Sequence, residues 1–336
     1  MKNITYLFGA GASFFAYPIW KAQVSQMIGL AGLSLNCWDF SRQKNPYSSS
    51  DKNFILWEIG HYGMLSEKFY TVDTLAKKFW LNGENEELIR LKFAISLFFT
   101  LWLKRPENPV LENNPYPDKI DRRYVSLLAT ILQPNSKGNP IIPKNINFIT
   151  WNYDLQFELA YKMFCRDQSW KEIKKTLNFT SDYGETLQVC HLNGYHGYYL
   201  GKDREVDIMD RSETGDFNDV LERISYTTDS IFEEKIRFAD HINFAWELDS
   251  EIAVSTRARA NQIFANTDIL IIVGYSFPAF NMTIDEELFG NLKNENVQII
   301  YQDPHPASVA LEGLLKHSKN KSKIISDRMI QFEFPR

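Results

Sequence analysis

Five short apolar segments constrain the fold of this 336-residue chain more than any other feature of its sequence. Each is almost continuously hydrophobic and ends in polar or glycine-containing sequence, which is typical of parallel strands that are covered on both faces. The segments are Ile4–Phe8, Ile146–Thr150, 187–192, Ile269–Val273 and 297–301. They predict a buried sheet whose strands come from the whole length of the chain.

Helical patterns separate these strands. One begins near Ile19, and others span residues 155–164, 252–264, 286–292 and 308–317. Strands that alternate with helices form parallel sheets, and ligands bind beyond the carboxyl ends of such strands. We therefore predict an α/β fold, with a Rossmann-like parallel sheet that has helices on both faces and functional residues directly after its strands.

Two stretches interrupt the alternation. Residues 29–122 contain no convincing strand, but apolar residues recur there at spacings of three and four, which makes one face of a helix apolar. These residues are Leu88, Leu91, Ile95, Phe98 and Trp102. Residues 201–243 are rich in charge and have helical patterns at 217–224 and 231–242. We predict one domain over residues 1–336, with a large helical insertion at 29–122 and a smaller, partly helical one at 201–243.

Composition excludes several classes of protein. The net charge of −5 disfavours broad binding to nucleic acid, which needs an excess of Lys and Arg. The longest apolar run, residues 93–103, is about half of the roughly 20 residues that a membrane-spanning helix requires. Cys37, Cys165 and Cys190 are too widely spaced for a disulfide framework or a paired zinc site, and we expect them to be buried as small hydrophobic side chains. We predict a cytoplasmic protein with no signal peptide, no membrane segment and no metal.

A glycine-rich loop follows the first strand, with the sequence Gly9-Ala10-Gly11-Ala12-Ser13. Glycines let the backbone approach a phosphate, and a following helix N-terminus presents N–H donors to it. The loop lacks the third glycine of the usual dinucleotide-binding fingerprint. A phosphate-binding loop is therefore one interpretation, and a structural tight turn is the other.

Three further polar segments follow strands: Thr150-Trp151-Asn152-Tyr153-Asp154, His191-Leu192-Asn193-Gly194 and Gly274-Tyr275-Ser276-Phe277. Together with the glycine-rich loop, this ordered series resembles the sirtuin, or silent information regulator, superfamily. The resemblance implies that the loop holds phosphates and that Thr150, Asn152 and Asp154 meet the nicotinamide ribose of NAD. It also implies that Gly274 and Ser276 contact the nucleotide and that a histidine near Gly194 is catalytic.

The sequence looks closest to the bacterial sirtuin-like domains of antiphage defence, which hydrolyse NAD. It has no four-cysteine zinc ribbon, and Tyr17-Pro18-Ile19-Trp20 stands where protein deacetylases carry Gly-Ile-Pro-Asp-Phe-Arg. The resemblance thus implies an NAD glycohydrolase that is controlled by homo-oligomerisation or by a partner, such as a hexameric ATPase or an Argonaute-like protein. The alternative is a non-catalytic sensor that binds NAD or ADP-ribose and changes its assembly.

Asn152 suits the cleavage of a glycosidic bond, because its side-chain oxygen can accept from water or a ribose hydroxyl while its amide donates. Asp154 could hold ribose hydroxyls or favour a cationic sugar. Both residues could instead cap the helix that begins near Leu155. Past the last predicted strand, Gln302 and Asp303 lie where Rossmann-type folds often meet the adenosine ribose, although Asp303-Pro304 is also a common turn opener.

The histidine departs from the family pattern. The residue directly before Gly194 is Asn193, whereas His191 lies two residues earlier than Asn193 and His196 lies two after Gly194. Alternation along a strand would put His191 and Asn193 on the same face, so we favour His191 over His196 as the base. Asn193 can orient a substrate but cannot remove a proton, and this substitution is the best support for the sensor alternative.

Overall fold

The computed structural model describes residues 1–336 except 107–115, 117, 137, 166–167, 178–187, 201–204, 210–213, 234–241, 249–250, 294–295, 316–320, 326–330 and 335–336. The strands in chain order are β1 (Ile4–Phe8), β2 (Gln133–Pro134), β3 (Pro140–Ile141), β4 (Ile146–Thr150), β5 (Val189–His191), β6 (Tyr198–Leu200), β7 (Glu205–Asp207), β8 (Ile269–Val273), β9 (Gln298–Gln302) and β10 (Lys321–Ile325).

The helices in chain order are α1 (Trp20–Ala31), α2 (Lys52–Glu67), α3 (Val72–Asn82), α4 (Asn85–Trp102), α5 (Arg122–Ile131), α6 (Gln156–Lys162), α7 (Trp170–Leu177), α8 (Phe217–Glu233), α9 (Glu251–Ala265), α10 (Met282–Gly290) and α11 (Ser308–Leu314). None of the helices in these described ranges is both long and apolar enough to cross a membrane.

Six strands form one parallel sheet in the order β10-β9-β8-β1-β4-β5. All five predicted strands are present, and β1, β4 and β8 have the predicted bounds. The predicted strand at 187–192 is shorter, since β5 covers Val189–His191 and residue 187 lies outside the described residues. The sixth strand, β10, was not predicted because Lys321-Ser322-Lys323 interrupts its hydrophobicity, as is common at a sheet edge.

Helices cover both faces of the sheet, as predicted. On one face, Phe148 stacks on Tyr6 with ring centroids 5.3 Å apart and contacts Phe157 of α6 at 4.2 Å. On the other face, Leu7 and its neighbours are buried in a hydrophobic core that includes Phe264 of α9 and Leu288 of α10. Successive residues of β1 point to opposite faces, so each face has its own layer of side chains. The structure is therefore a Rossmann-like α/β fold with helical insertions.

The chain divides into two compact units. Unit 1 comprises residues 1–14, 120–194 and 243–336 and contains the parallel sheet with α5, α6, α7, α9, α10 and α11. Cys165 and Cys190 are buried in this unit, as expected for small hydrophobic side chains.

Unit 2 comprises residues 15–119 and 195–242 and contains α1 to α4, α8 and the antiparallel pair β6 and β7. The apolar residues at spacings of three and four lie on α4, which confirms the helix predicted there. The predicted helical pattern at 231–242 falls mostly in residues 234–241, outside the described residues. The side chain of Cys37 also lies outside them.

Candidate active site

The glycine-rich loop forms a single turn of 3₁₀ helix at Ala10–Ser13, directly after β1. Its backbone amides make hydrogen bonds within the fold. Gly9 N donates to the Val273 carbonyl and Gly11 N to the Gly274 carbonyl, each at 2.9 Å. Ala12 N donates to the Gly9 carbonyl, also at 2.9 Å. These three amides therefore tie the loop to itself and to the end of β8.

The glycines are required because the loops after β1 and β8 touch. A Cβ on Gly9 would lie 2.5 Å from the Gly274 carbonyl oxygen, and a Cβ on Gly11 would lie 2.8 Å from the Gly274 Cα. Gly274 itself has a φ of +60°, and its Cβ would lie 2.4 Å from the Ala12 nitrogen. Only residues without a Cβ fit this close approach of two backbones. The glycines thus have a structural role beyond the tight turn considered from the sequence, because they allow the loops after β1 and β8 to touch.

Asn152 links the Thr150–Asp154 segment to the glycine-rich loop. Its buried Nδ2 donates to the Gly9 carbonyl at 3.0 Å and to Ser13 Oγ at 3.3 Å, and its backbone N donates to Thr150 Oγ1 at 3.0 Å. Since an amide has two donor hydrogens, both are directed at the loop. The oxygen Oδ1 is therefore the part of this side chain that would interact with a ligand.

Asp154, rather than Asn152, stabilises the start of the following helix. Its Oδ1 accepts from the backbone N of Gln156, the first residue of α6, at 3.0 Å. Burial raises the pKa of Asp154 to about 6, and the nearby Glu158 carboxyl adds to the increase. Hydrogen bonds from Gln156 and Ser13 oppose it. Asp154 thus combines a structural hydrogen bond with a carboxyl group that titrates near neutral pH.

A small cavity lies beneath Thr150, between the sheet and the helices α5 and α6. Its volume of about 10 Å³ is room for one water molecule. Besides Thr150, the polar side chains in its wall are those of Tyr124, Asp154, Glu158 and His191, and the remainder is apolar. Among the residues that the structure describes, no group of His, Cys, Asp or Glu is arranged to hold a metal ion. The cavity therefore brings an imidazole, a phenol and two carboxyl groups together in apolar surroundings.

His191, the last residue of β5, faces this cavity, and its Nε2 lies 2.7 Å from Glu158 Oε1. Asn193 lies beyond the strand, in a turn that follows His191. In this turn Gly194 N donates to the His191 carbonyl, and Gly194 has a positive φ of 72°. Strand alternation therefore does not extend from His191 to Asn193. The side chain of Asn193 is buried, and its Oδ1 has no hydrogen-bond partner among the described residues.

His196 belongs to unit 2 and is fully buried there. Its Nδ1 lies 3.0 Å from Thr100 Oγ1, and its ring stacks on Phe99 with centroids 5.8 Å apart. These contacts give His196 a packing role within the helical unit. They are typical of a buried structural histidine.

The remaining predicted residues lie at the ends of β8 and β9. Gly274 makes the loop contact described above, and Ser276 is exposed. The side chain of Gln302 binds backbone, since its Nε2 donates to the Gln331 carbonyl at 3.2 Å and its Oε1 accepts from Glu333 N at 3.1 Å. Asp303 Oδ1 accepts from His305 N at 2.7 Å, which is the turn that Asp303-Pro304 suggested.

Two residues of the candidate site were missed from the sequence, Arg123 and Glu158. Arg123 Nη2 donates to the carbonyls of Gly11 and Ala12, both at 3.0 Å, and the same guanidinium is held by Asp121 at 2.7 Å. Nothing local in the sequence connects Arg123 to a loop more than 100 residues earlier. Glu158 lies in the first turn of α6, within the helical pattern predicted at 155–164, but no local pattern in the sequence pairs it with His191.

The segment 331–334 packs over the same face of the sheet. Phe332 is buried, and its ring centroid lies 5.5 Å from that of Phe8 and 5.0 Å from that of Tyr124. The Arg123 guanidinium lies 5.0 Å from the Phe332 ring, and Tyr6 Oη donates to the Glu333 carbonyl at 2.8 Å. The segment therefore supports β1 and the arginine that holds the loop.

Phe332→Ala is expected to lower the free energy of unfolding by about 2 to 3 kcal/mol, because it removes the contacts of the Phe332 ring with Phe8, Tyr124 and Arg123. This loss is somewhat smaller than the loss expected for truncating a fully enclosed aromatic residue. Urea denaturation of the two proteins measures this difference. Phe334→Ala is the matched control, since Phe334 is in the same segment but is only partly buried. Equal losses in the two variants would contradict the anchoring role of Phe332.

A buried polar network connects the two loops on the opposite face of the sheet. Tyr275, next to Gly274, donates its hydroxyl to Asp285 Oδ2 of α10 at 2.7 Å and accepts from Asn281 Nδ2 at 3.0 Å. The ring of Trp151, next to Asn152, stacks on Tyr275 at 5.9 Å. Burial raises the pKa of Asp285 to about 7, and the hydrogen bond from Tyr275 reduces the shift.

Asp285 should make stability decrease as pH rises. In the folded chain it keeps its proton up to about pH 7, whereas in the unfolded chain it ionises near 3.8. Its contribution is therefore complete below about pH 4 and is lost as pH rises to about 7. Asp285→Asn, which cannot ionise, should flatten this part of the profile by on the order of 2 kcal/mol, because relaxation limits the cost of a buried charge.

Unfolding free energies at several pH values measure this effect, with Glu286→Gln, an exposed neighbour on α10, as the control. Asp154 contributes part of the slope that remains between about pH 4 and 6, since its pKa is raised to about 6. An Asp285→Asn profile parallel to that of the unmodified chain would show that Asp285 is not the group responsible.

Comparison with protein-family models found no match for this chain, and comparison with curated proteins found none either.

Proposed function

We propose that the chain is an NAD glycohydrolase that cleaves the bond between nicotinamide and ribose, with NAD as substrate and no metal. The observation that carries the proposal is that Asn152 connects the glycine-rich loop to the segment that lines the cavity. This residue holds the glycine-rich loop through Nδ2, leaves Oδ1 for a ligand, and follows Thr150, which lines a cavity with Asp154, Glu158 and His191. Thr150, Asn152, Asp154 and His191 lie at or just after the carboxyl ends of β4 and β5, where α/β folds bind ligands.

The chemistry needs a positioned water and support for a sugar that becomes cationic. The C1′–N bond breaks and nicotinamide leaves with the bonding electrons, while water oxygen bonds to C1′ and its proton passes to a base. The products are nicotinamide, ADP-ribose and a proton. In this scheme Asn152 Oδ1 orients the water or a ribose hydroxyl, Asp154 stabilises the cationic sugar, and His191 accepts the proton.

The decisive experiment is incubation of the purified chain with NAD and chromatographic measurement of nicotinamide, with binding of NAD and ADP-ribose measured by calorimetry. Release of nicotinamide supports the glycohydrolase. Binding without release favours the sensor. The supporting observation for the sensor is Asn193 in place of a histidine, with a buried Oδ1 that has no hydrogen-bond partner among the described residues. Neither binding nor release would contradict both functions.

An enzyme that depletes NAD would harm its own cell if it were always active. The proposed biological setting is bacterial antiphage defence, in which homo-oligomerisation, a hexameric ATPase or an Argonaute-like protein would control the activity. The same assay with neighbouring gene products added, alongside sedimentation of the chain with and without NAD, tests this part. Full activity of a monomeric chain on its own would contradict it.

A further inference from the structure

We infer that Glu158 is a positioning residue: its carboxylate holds a proton on Nε2 of His191 and so fixes the orientation and tautomer of the imidazole in the candidate active site. The inference about tautomer concerns the structure alone, and only its consequence for turnover rests on the proposed function.

The geometry of the pair carries this inference. Glu158 lies on α6 and is fully buried, and its Oε1 is 2.7 Å from His191 Nε2. Its other oxygen, Oε2, has no hydrogen-bond partner within the described parts of the chain. A buried carboxylate is costly unless it is paired, so the imidazole N–H is the group that stabilises it. The contact is short, as expected for a charge-assisted hydrogen bond.

The pair has a direct chemical consequence. In a neutral imidazole one nitrogen carries the proton and the other has the lone pair, and the hydrogen bond made by one nitrogen decides which is which. A carboxylate at Nε2 selects the form that is protonated there, so that Nδ1 becomes the basic nitrogen. Because β5 fixes the backbone of His191 and α6 fixes Glu158, the ring is held from two elements of unit 1.

Three substitutions separate the charge from the hydrogen bond. Glu158→Gln keeps an acceptor oxygen but removes the charge, and Glu158→Leu removes both while suiting the apolar rings of Phe148 and Phe157 in the cavity wall. Glu158→Asp keeps the charge on a shorter side chain. Glu172→Gln, at an exposed carboxylate on α7, is the matched control.

The test is nuclear magnetic resonance of the full chain with ¹⁵N-labelled histidine, in which a His191→Gln variant assigns the His191 signals. The chain itself and Glu172→Gln are expected to show Nε2 protonated. Glu158→Gln should retain this form, whereas Glu158→Leu should give a mixture of tautomers. An Nδ1-protonated ring in the unmodified chain, or an identical spectrum in Glu158→Leu, would overturn the inference.

Turnover gives the second measurement. Glu158→Leu should lower kcat for NAD cleavage by about 10- to 100-fold, the usual effect of losing a group that orients another, with little change in KM. Glu158→Asp should recover part of the loss. Unchanged kcat in folded Glu158→Leu would overturn the role of Glu158 in the reaction. If the unmodified chain cleaves no NAD, the proposed function fails, but the histidine spectra still decide whether Glu158 fixes the tautomer.

Discussion

Asn152→Ala is expected to lower NAD cleavage by about 10²- to 10³-fold, the usual cost of removing one positioned polar group from an active site. The substitution removes Oδ1, which orients the water or the ribose. It also removes the hydrogen bonds from Nδ2 to Gly9 and Ser13, so the glycine-rich loop loses its link to the Thr150–Asp154 segment. Nucleotide affinity should therefore fall together with turnover, and stability by roughly 1 to 3 kcal/mol.

Kinetics, calorimetry and urea denaturation of the same preparation separate these effects. Asn147→Ala is a suitable control, since Asn147 is partly exposed on the same strand, β4. Asn152→Asp keeps a side-chain oxygen but cannot donate to the Gly9 carbonyl, so it isolates the contribution of the link to the loop. Near-normal turnover in Asn152→Ala would remove Asn152 from the proposed mechanism.

Five strands of the sheet were predictable from local sequence, and the edge strand β10 was not. Strands β1, β4 and β8 are buried on both faces, and this leaves continuous apolar runs with polar ends that periodicity alone detects. In the part of the chain that the structure describes, strand β10 pairs with β9 alone, and its sequence begins Lys321-Ser322-Lys323, so it does not have that continuous apolar pattern. The candidate segments after the strands were predicted because a parallel sheet puts its ligand-facing residues there.

The contacts within the candidate site depend on residues that are far apart in the chain. Gly9 and Gly274 approach so closely that neither position has room for a Cβ. Arg123 donates hydrogen bonds to the Gly11 and Ala12 carbonyls. No local sequence pattern relates these positions. The preference for His191 over His196 came from strand geometry that ends at His191 itself. The contact of His191 with Glu158 supports that preference. It could not be predicted from the sequence, because it depends on how α6 packs near β5.

Gly274→Ala is expected to lower the free energy of unfolding by on the order of 4 kcal/mol, because a strained backbone and an overpacked contact each cost about 1 to 3 kcal/mol. The residue has a φ of +60°, a backbone conformation that residues other than glycine rarely adopt. Its new Cβ would also lie 2.4 Å from both the Ala12 nitrogen and the Gly11 carbonyl carbon. Backbone atoms cannot rotate away as a flexible side chain can, so the loops after β1 and β8 must separate.

Gly290→Ala is the matched control, because a Cβ at this position of α10 has no atom within 4 Å. It should be neutral or slightly stabilising, by up to about 1 kcal/mol, since alanine favours helix more than glycine does. The double variant Gly11→Ala with Gly274→Ala gives the sharper test. A Cβ on Gly11 would lie 2.8 Å from the Gly274 Cα, so both substitutions push the same two loops apart, and the second should cost less than it does alone. Strictly additive losses in urea denaturation would mean that the two glycines are required for separate reasons, and not by one shared contact between the loops.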